Sequence, residues 1–363
     1  MTSTPITWQN LPAKSYFSDA AMRLEWDTLN EQAGKLPILA SYAVTAALAV
    51  FGQGDERVLI ARQDAVVMAL FVLRRASRGR WQTFQPSQLP LGVWLAKPGQ
   101  PLQVLTQDVL RGALGLSLAL SITQIDPLLS PRDADSASAR SSDYIDTGWI
   151  DIAGDFDTYW AQRGKNLRNN MRKQHNKLAA ENVRVEMHEH RSVEAMAPAL
   201  ARYGALESAG WKAKDGTAIH ADNPQGRFYR ELLEQAAQRG EARIYELHFD
   251  GRTVASNLCL CRDGVLLILK TTFDESIDKA LSPAFVLQQR ELEQFFASHE
   301  FTRLEYFGRF MEWHSRWTEH KRPLHHLTQY RWPWIKQLVL RRAQSAATST
   351  EPGADKSTDS NAA

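Results

Sequence analysis

The sequence contains very little cysteine. Only Cys259 and Cys261 occur in 363 residues. In a strand, residues two apart point to the same face, so these two thiols are badly placed to bridge each other. Two cysteines cannot supply a zinc cluster, and the ten histidines lack the spacing of a metal motif. The sequence therefore predicts two buried, reduced thiols, no disulfide and no metal.

Long apolar runs and an excess of charge of one sign are also missing. The most apolar stretch, 37–51, is shorter than the roughly 20 residues that a membrane-spanning helix needs. The net charge is only +2, which gives no global reason to expect a nucleic-acid or membrane partner. The first residues show no secretion signal. We expect a soluble cytoplasmic protein without a nucleic-acid partner, and a peripheral contact with a membrane or an envelope synthesis complex stays open.

Chain length and two polar segments indicate two folded domains. A chain of 363 residues is long for one core and suits two domains of ordinary size. Residues 130–143 are mostly Ser, Asp and Ala, which is typical of a linker or a long loop. The sequence thus predicts an N-terminal domain over 1–145 and a C-terminal domain over 146–335. Residues 343–363 lack any aliphatic run and are expected to form a disordered tail.

The order of predicted elements is similar in the two domains. In the first, helices precede antiparallel strands, and a helix and a strand follow them. In the second, helices precede three strands joined by Asp250-Gly251 and Asp263-Gly264, the strongest short signal for a hairpin turn. A helix from Pro283, a strand over 303–307 and a last strand over 324–330 complete it. This order predicts an α/β layered fold with an internal duplication.

A helix that follows a strand and a loop is the first candidate for a ligand site. The strand 266–273 leads to Ser282, which can cap the helix, and to Pro283, which suits its first position. A helix N-terminus presents free N–H groups and a positive dipole end, so it can bind a pyrophosphate. The small side chain of Ala284 would let such a ligand come close to the backbone.

At this point the sequence resembles a known family. It is similar to the acetyltransferase domain of CelD-type cellulose-biosynthesis proteins and BioF-like acetyltransferases, which are relatives of the FemAB peptidoglycan transferases. The residues that carry the resemblance, within 151–334, are the basic segment 163–173, Trp211-Lys212, Leu281-Ser282-Pro283-Ala284, Glu305-Tyr306-Phe307-Gly308 and Trp313-His314-Ser315-Arg316-Trp317. The chain departs from the family at Pro283-Ala284, where Pro-Gly is usual, and at Trp313-His314, where Tyr-Lys is usual.

The resemblance implies tandem GNAT-like domains, each with a mostly antiparallel central sheet flanked by helices, the first of them degenerate. It implies transfer of an acyl group from acetyl-CoA or another acyl-CoA to an amine or a hydroxyl. A small-molecule or saccharide acceptor and a role in envelope or exopolysaccharide biosynthesis would follow. The expected donor site consists of Thr271, Thr272, Ser282, Pro283, Ala284 and Phe285.

Three residues near the predicted donor strand are candidates for proton transfer. Glu305 could act as a base, directly or through water, and Tyr306 could protonate the leaving sulfur. Successive side chains of a strand face opposite sides of the sheet, so at most one of the two is expected to be catalytic. His314 has a suitable intrinsic pKa, although a surface histidine fits the sequence equally well.

A basic helix provides the expected acceptor site. Residues 161–179 contain six Lys or Arg and no acid. They predict either a solvated helix at the domain junction or an anion site for a phosphate-bearing substrate, RNA or an anionic membrane. The expected substrate-binding residues are Trp211, Lys212, Lys165, Arg168 and Arg172.

Two other functions remain open. The first is a FemAB-like aminoacyltransferase that uses aminoacyl-tRNA, which the basic helix would suit. The second is a non-catalytic binding module that keeps the GNAT fold.

Overall fold

The computed structural model describes residues 5–209, 219–220 and 222–348. Its strands are β1 (Thr7–Pro12), β2 (Arg57–Gln63), β3 (Val66–Ser77), β4 (Arg80–Thr83), β5 (Trp94–Ala96), β6 (Ala119–Ile125), β7 (Ala139–Asp151), β8 (Val185–His190), β9 (Ala242–Phe249), β10 (Arg252–Arg262), β11 (Val265–Phe273), β12 (Arg303–Glu305) and β13 (Lys321–Tyr330). Its helices are α1 (Ala13–Ser18), α2 (Ala20–Ala33), α3 (Ser41–Phe51), α4 (Leu102–Asp108), α5 (Phe156–Ala161), α6 (Lys165–Ala180), α7 (Val193–Ala209), α8 (Pro224–Ala237), α9 (Pro283–Ser298), α10 (Glu312–Ser315) and α11 (Pro333–Thr348).

All the strands belong to one sheet. Its order is β1-β2-β3-β4-β6-β13-β7-β12-β11-β10-β9-β8, and β5 pairs with β3 beside this path. The pairs β4–β6 and β11–β12 are parallel. The other pairs are antiparallel.

The sheet repeats one pairing scheme in its two halves. From the N-terminal edge, β1, β2, β3 and β4 pair antiparallel in sequence order, β4 pairs parallel with β6, and β6 pairs antiparallel with β13. From the C-terminal edge, β8, β9, β10, β11, β12 and β7 repeat this scheme. The first half therefore receives its innermost strand, β13, from the second half, and β7, which begins in the first half, completes the second. The predicted fold class, a mixed α/β fold with a mostly antiparallel sheet flanked by helices, is confirmed, and the two sheets expected for the two domains are joined in one.

Helices cover both faces of the sheet. One apolar core joins α1, α2 and α3 of the first half to α7 and α8 of the second, and the rings of Phe51 and Phe228 meet across it with centroids 5.4 Å apart. On the opposite face, α6 and α9 pack on the second half and α4 packs on the first. In the described residues, no helix is long and apolar enough to span a bilayer. Both cysteine thiols are free and buried, as the sequence predicts.

The tight turns follow the sequence prediction. Both residues of Asp250-Gly251 have positive φ values, 50° and 81°, and those of Asp263-Gly264 are 48° and 78°. Two successive positive φ values define the hairpin turn whose twist matches the flanking strands.

Several predicted element boundaries are wrong. The basic helix expected over 161–179 begins only at Lys165, because extended backbone at Gly164, with φ −55° and ψ 139°, separates α6 from α5, which ends at Ala161. Most of the expected linker 130–143 is loop, but β7 begins at Ala139 and runs through the predicted domain boundary at residue 145. The helix α11 continues through Thr348, so the predicted tail begins as helix. Residues 349–363 lie outside the described part of the chain.

Candidate active site

The two parallel strands of the second half separate after three paired residues. Val265, Leu266 and Leu267 of β11 pair with Arg303, Leu304 and Glu305 of β12. Beyond them β12 ends, whereas β11 continues to Phe273. The register between β10 and β11 shifts here, because Cys259 pairs with Ile268 and Leu258 with Lys270, which leaves Leu269 as the extra residue of a bulge. Such bulges redirect side chains, and here one lies where the sheet opens.

A cavity of about 330 Å³ lies at the N-terminal end of α9. Its lining residues are Asn257, Thr271, Phe273, Ser282, Ala284, Phe285, Gln288, Trp313 and Trp317. Four of the residues expected to bind the donor, Thr271, Ser282, Ala284 and Phe285, thus line one cavity. The other two, Thr272 and Pro283, are buried and do not line it. We call it the helix-end cavity.

The sequence predicts that the side chain of Ser282 caps α9, and this prediction is wrong. Its backbone is left-handed, with φ 35° and ψ 68°, and its side chain makes no capping hydrogen bond. Its carbonyl accepts hydrogen bonds from the amides of Phe285 and Val286, at 2.9 and 3.2 Å. A left-handed non-glycine residue is strained, and such strain concentrates at functional sites.

The floor of the helix-end cavity carries polar atoms without partners. Oδ1 of Asn257 and Nε2 of Gln288 are buried and make no hydrogen bond. The Asn257 amide donates to both carboxyl oxygens of Glu291, at 2.8 and 2.9 Å. Complete burial raises the pKa of Glu291 to about 8. Buried polar atoms normally have partners, so these two indicate where a ligand would bind.

A second cavity, of about 530 Å³, lies between the two halves. Its lining residues are Gln85, Ser87, Gln88, Leu89, Pro90, Gln124, Tyr144, Ile145, Tyr229, Ile268, Leu269, Lys270, Tyr306, Phe307, Gly308 and Arg309. We call it the inter-half cavity. The sequence analysis missed it, because its lining comes from segments more than a hundred residues apart that only the shared sheet brings together. Phe307, in its lining, is a second left-handed residue, with φ 46°.

Tyr306 connects the two cavities. Tyr306 is among the residues that line the inter-half cavity, and its hydroxyl donates to Oε1 of Gln288, which lines the helix-end cavity, at 3.4 Å. Burial raises the pKa of Tyr306 well above its ordinary value. The hydroxyl therefore stays protonated and can act as a hydrogen-bond donor.

Glu305 faces the other side of the sheet from Tyr306, as alternation along a strand predicts. It is buried and lies 3.0 Å from the guanidinium of Arg322, which also binds Asp126 of the first half at 2.6 Å. Burial raises the pKa of Glu305 to about 7 although Arg322 opposes the shift. Glu305 lines neither cavity, and its contacts are those of a buried ion-pair network in which Arg322 joins it to Asp126 of the first half.

His314 is buried beside Tyr306. Its Nδ1 accepts a hydrogen bond from the amide of Met311 at 2.8 Å, and its ring packs edge-on against Tyr306 with centroids 4.6 Å apart. Burial lowers the pKa of His314 to about 4, so the ring is neutral near pH 7. His314 lines neither cavity and supports Tyr306 by packing.

The basic helix α6 packs beside α9. Leu167, Met171 and Leu178 form its buried face. His175 hydrogen-bonds to Gln289 of α9 at 3.1 Å, and Lys177 forms an ion pair with Asp278 of the preceding loop. The predicted substrate-binding residues Lys165, Arg168 and Arg172 are exposed and line neither cavity. Trp211 and Lys212 lie outside the described residues.

Metal-ligating side chains do not cluster in the described ranges. No group of three His, Cys, Asp or Glu residues there could hold a metal ion.

A family model matches part of the second half. Residues 165–308 match the family described as Acetyltransferase (GNAT) domain. This segment contains α6, the strands that open at the bulge, α9 and Tyr306. No match to the chain was found among curated protein sequences.

Solved structures share the fold over most of the chain. The C-terminal domain of a predicted lysylphosphatidylglycerol synthetase from Agrobacterium fabrum is 13% identical, with a TM-score of 0.52, over 88% of this chain and 96% of that one. FemX is 9% identical, with a TM-score of 0.54, over 87% and 98%. A protein of unknown function from Bacteroides thetaiotaomicron is 11% identical, with a TM-score of 0.53, over 85% and 97%. These identities show the fold alone, and the domain match over 165–308 supports an acyltransferase.

Proposed function

We propose that the chain transfers an acyl group from an acyl-CoA in the helix-end cavity to an amine or a hydroxyl of an acceptor in the inter-half cavity. The observation that carries this proposal is the contact between Tyr306 and Gln288, which links the linings of the two cavities. Acyl transfer needs a donor and an acceptor to meet with their reacting atoms in contact while each keeps its own binding surface.

The residues of the chain suit a direct transfer. The acceptor nitrogen or oxygen attacks the thioester carbonyl, the carbon–sulfur bond breaks, and the acceptor loses a proton to water or to a base. The protonated hydroxyl of Tyr306 would donate to the departing thiolate, since it lies where the two cavities adjoin. The N-terminal end of α9 would favour the pyrophosphate of the donor through its dipole and its amide groups.

The lining of the inter-half cavity favours a polar acceptor with an anionic group. Lys270 and Arg309 contribute positive charge, and Gln85, Gln88 and Gln124 contribute amides. Among the described residues, no Asp or Glu belongs to this lining. A small molecule or a saccharide with a carboxylate or a phosphate would fit. A role in envelope or exopolysaccharide biosynthesis, as in the CelD-type and BioF-like proteins, and a cytoplasmic location belong to this proposal.

One observation favours a second function, aminoacyl transfer from a tRNA. The exposed basic side chains of α6 lie on the helix that packs beside α9, where they could contact the phosphates of an RNA donor. FemX shares the fold at 9% identity, and so low an identity does not show which donor this chain uses.

Donor binding separates these functions. Acetyl-CoA and longer acyl-CoA esters should raise the melting temperature, because a ligand that binds only the folded state stabilises it. Acetyl transfer to glucosamine phosphates and to amino acids would then be assayed by thiol release. If no acyl-CoA at millimolar concentration shifts the melting curve and a charged tRNA does, the acyl-CoA proposal is wrong and the second function replaces it.

A further inference from the structure

Three surface segments meet at one end of the first half of the sheet. Ala119, the first residue of β6, pairs with Arg80 of β4 and with Tyr330 of β13. The loop that precedes β6 lies at the same end of the sheet, because the amide of Leu118 donates to the carbonyl of Gly79 at 2.6 Å. The short connection between β13 and α11 contacts this loop, since the amide of Arg331 donates to the carbonyl of Leu118 at 2.9 Å.

Large apolar side chains of these segments are exposed to solvent. Leu116 is 81% exposed and Trp334 is 61% exposed, and Leu118, Trp332 and Leu338 are also exposed. The rings of Trp332 and Trp334 are stacked, with centroids 5.9 Å apart and planes 11° from parallel. Single exposed apolar residues are ordinary, but an exposed group of this kind marks an interaction site.

The same segments are strongly basic although the chain as a whole is nearly neutral. The segment 74–80 contains four arginines and the segment 331–348 contains four Lys or Arg, and neither contains an acid. Arg75, Arg78, Arg80, Arg111 and Arg342 form no ion pair with a carboxylate in the described ranges. The side chain of Arg331 holds the loop by donating to the carbonyls of Leu110 and Gly115, at 2.6 and 2.9 Å.

We propose that this surface docks the protein on an anionic lipid bilayer. We call it the arginine–tryptophan surface, and it consists of Arg75, Arg78, Arg80, Arg111, Arg342, Leu116, Leu118, Trp332, Trp334 and Leu338. Tryptophan favours the membrane–water interface, leucine enters the acyl region, and arginine is attracted by acidic headgroups. A nucleic acid would use the arginines but would leave the three leucines in water, so the bilayer accounts for more of the surface.

The sheet relates this surface to the inter-half cavity. Ala119 directly follows Leu118 of this surface, and Gln124, five residues further along β6, lines the cavity. At about 3.3 Å per residue, the cavity begins roughly 17 Å from the surface along the strand. Docking would therefore hold the cavity close to the bilayer. The inference does not rest on the acyl-transfer proposal, because none of the surface residues lines either cavity.

The test is sedimentation of the full chain with vesicles. We expect the protein to sediment with mixed phosphatidylcholine–phosphatidylglycerol vesicles and not with phosphatidylcholine alone. The double variant Trp332→Ser/Trp334→Ser should bind at least about tenfold more weakly. The triple variant Arg78→Gln/Arg80→Gln/Arg111→Gln should lose a similar factor at low salt and show a flatter salt dependence. All the substituted side chains are exposed, so melting curves should match the wild type.

The matched control removes the same kind of charge elsewhere. Lys165→Gln/Arg168→Gln/Arg172→Gln on α6 should leave vesicle binding unchanged. Equal binding to both vesicle types, an α6 variant as weak as the arginine variant, or no binding at low ionic strength would overturn the proposal. Displacement of the protein from the vesicles by bulk tRNA, with unchanged tRNA binding in the double tryptophan variant, would also overturn it and assign the surface to RNA.

Discussion

The hydroxyl of Tyr306 lies 3.4 Å from Oε1 of Gln288, and the two residues belong to the linings of different cavities. This pair is the point where the proposed donor and acceptor sites adjoin. The two residues lie on different elements, because Gln288 belongs to α9 and Tyr306 follows β12. Donor binding and turnover can therefore be tested by separate substitutions.

Removal of the Tyr306 hydroxyl should therefore affect turnover and leave donor binding intact. We expect Tyr306→Phe to lower kcat by about a hundredfold or more, the usual contribution of a positioned proton donor. The ring would keep its packing against Trp313 and His314, and the lost hydrogen bond to Gln288 should lower the free energy of unfolding by no more than about 1 to 3 kcal/mol. Steady-state kinetics and an acetyl-CoA melting shift on the same protein would show this. A variant with normal kcat would remove Tyr306 from the reaction.

A carboxylate at the start of α9 should prevent donor binding. Ala284→Glu would place a negative charge in the helix-end cavity, against the pyrophosphate of the donor. We expect the acetyl-CoA melting shift to disappear. The matched control is Ala297→Glu, the same change at an exposed position near the other end of the same helix, which should keep the full shift. A normal shift in Ala284→Glu would place the donor elsewhere.

Glu305 should prove to be structural. Glu305→Gln removes one carboxylate from the buried ion pair with Arg322, and we expect a loss of about 1 to 3 kcal/mol in the free energy of unfolding. Turnover should stay within about threefold of the wild type, well below the contribution of a general base. Asp126→Asn, which removes the other carboxylate bound to Arg322, is the control and should behave alike. A hundredfold slower enzyme of normal stability would restore Glu305 as the base.

Burial of Glu291 predicts a pH dependence of stability. Its pKa is raised from 4.5 to about 8 in the folded state, so the folded protein holds an extra proton between these values. The stability it contributes is complete below about pH 4.5 and is lost as pH rises through 8, by at most about 1.4 kcal/mol per pH unit. Glu291→Gln cannot ionise and should lose less stability over this range. Urea unfolding at several pH values tests this, and equal pH slopes for both proteins would contradict it.

Removal of the positive charges of α6 tests whether this helix binds an anionic substrate. All four of Lys165, Arg168, Arg172 and Lys173 are exposed, so their replacement by Gln should change stability by no more than about 0.5 kcal/mol. If they bind an anionic substrate, acetyl-CoA or tRNA titrations should show weaker binding and a flatter salt dependence. The triple variant Arg78→Gln/Arg80→Gln/Arg111→Gln is the control for lost charge. Unchanged titrations would mean that α6 is only a solvated helix.

Local signals in the sequence predicted much of the second half. The two Asp-Gly turns fix the hairpins between β9, β10 and β11, and the strand–loop–helix order locates α9. These features depend on neighbouring residues, which a sequence shows directly. The strand β7 was missed because its first residues are Ala, Arg, Ser and Asp, which resemble a linker; its hydrogen bonds come from β12 and β13, far away in the chain.

The sequence predicts the candidate site only in part, because it shows local features directly and distant contacts not at all. Six of the nine residues that line the helix-end cavity come from β11, the loop after it and α9, so four of them could be expected from the sequence. The inter-half cavity needs Gln85 and Gln124 from the first half beside Tyr229 and Tyr306 from the second, and no short segment contains that arrangement. The burial of Glu305 and His314 likewise comes from distant partners, which intrinsic pKa values do not reveal.

The position of β13 between β6 and β7 makes the two halves mutually dependent. A chain cut at residue 145 would divide β7, so β13 would lose both β6 and residues 139–143 of β7, and β6 would face water where β13 belongs. Open strand edges of this kind recruit other chains. Separate expression of the halves is thus a route to aggregation or to intermolecular strand exchange, whereas mixing the two pieces could restore one heterodimeric sheet. Although the pairing scheme is that of two domains, we expect the protein to unfold in a single cooperative transition.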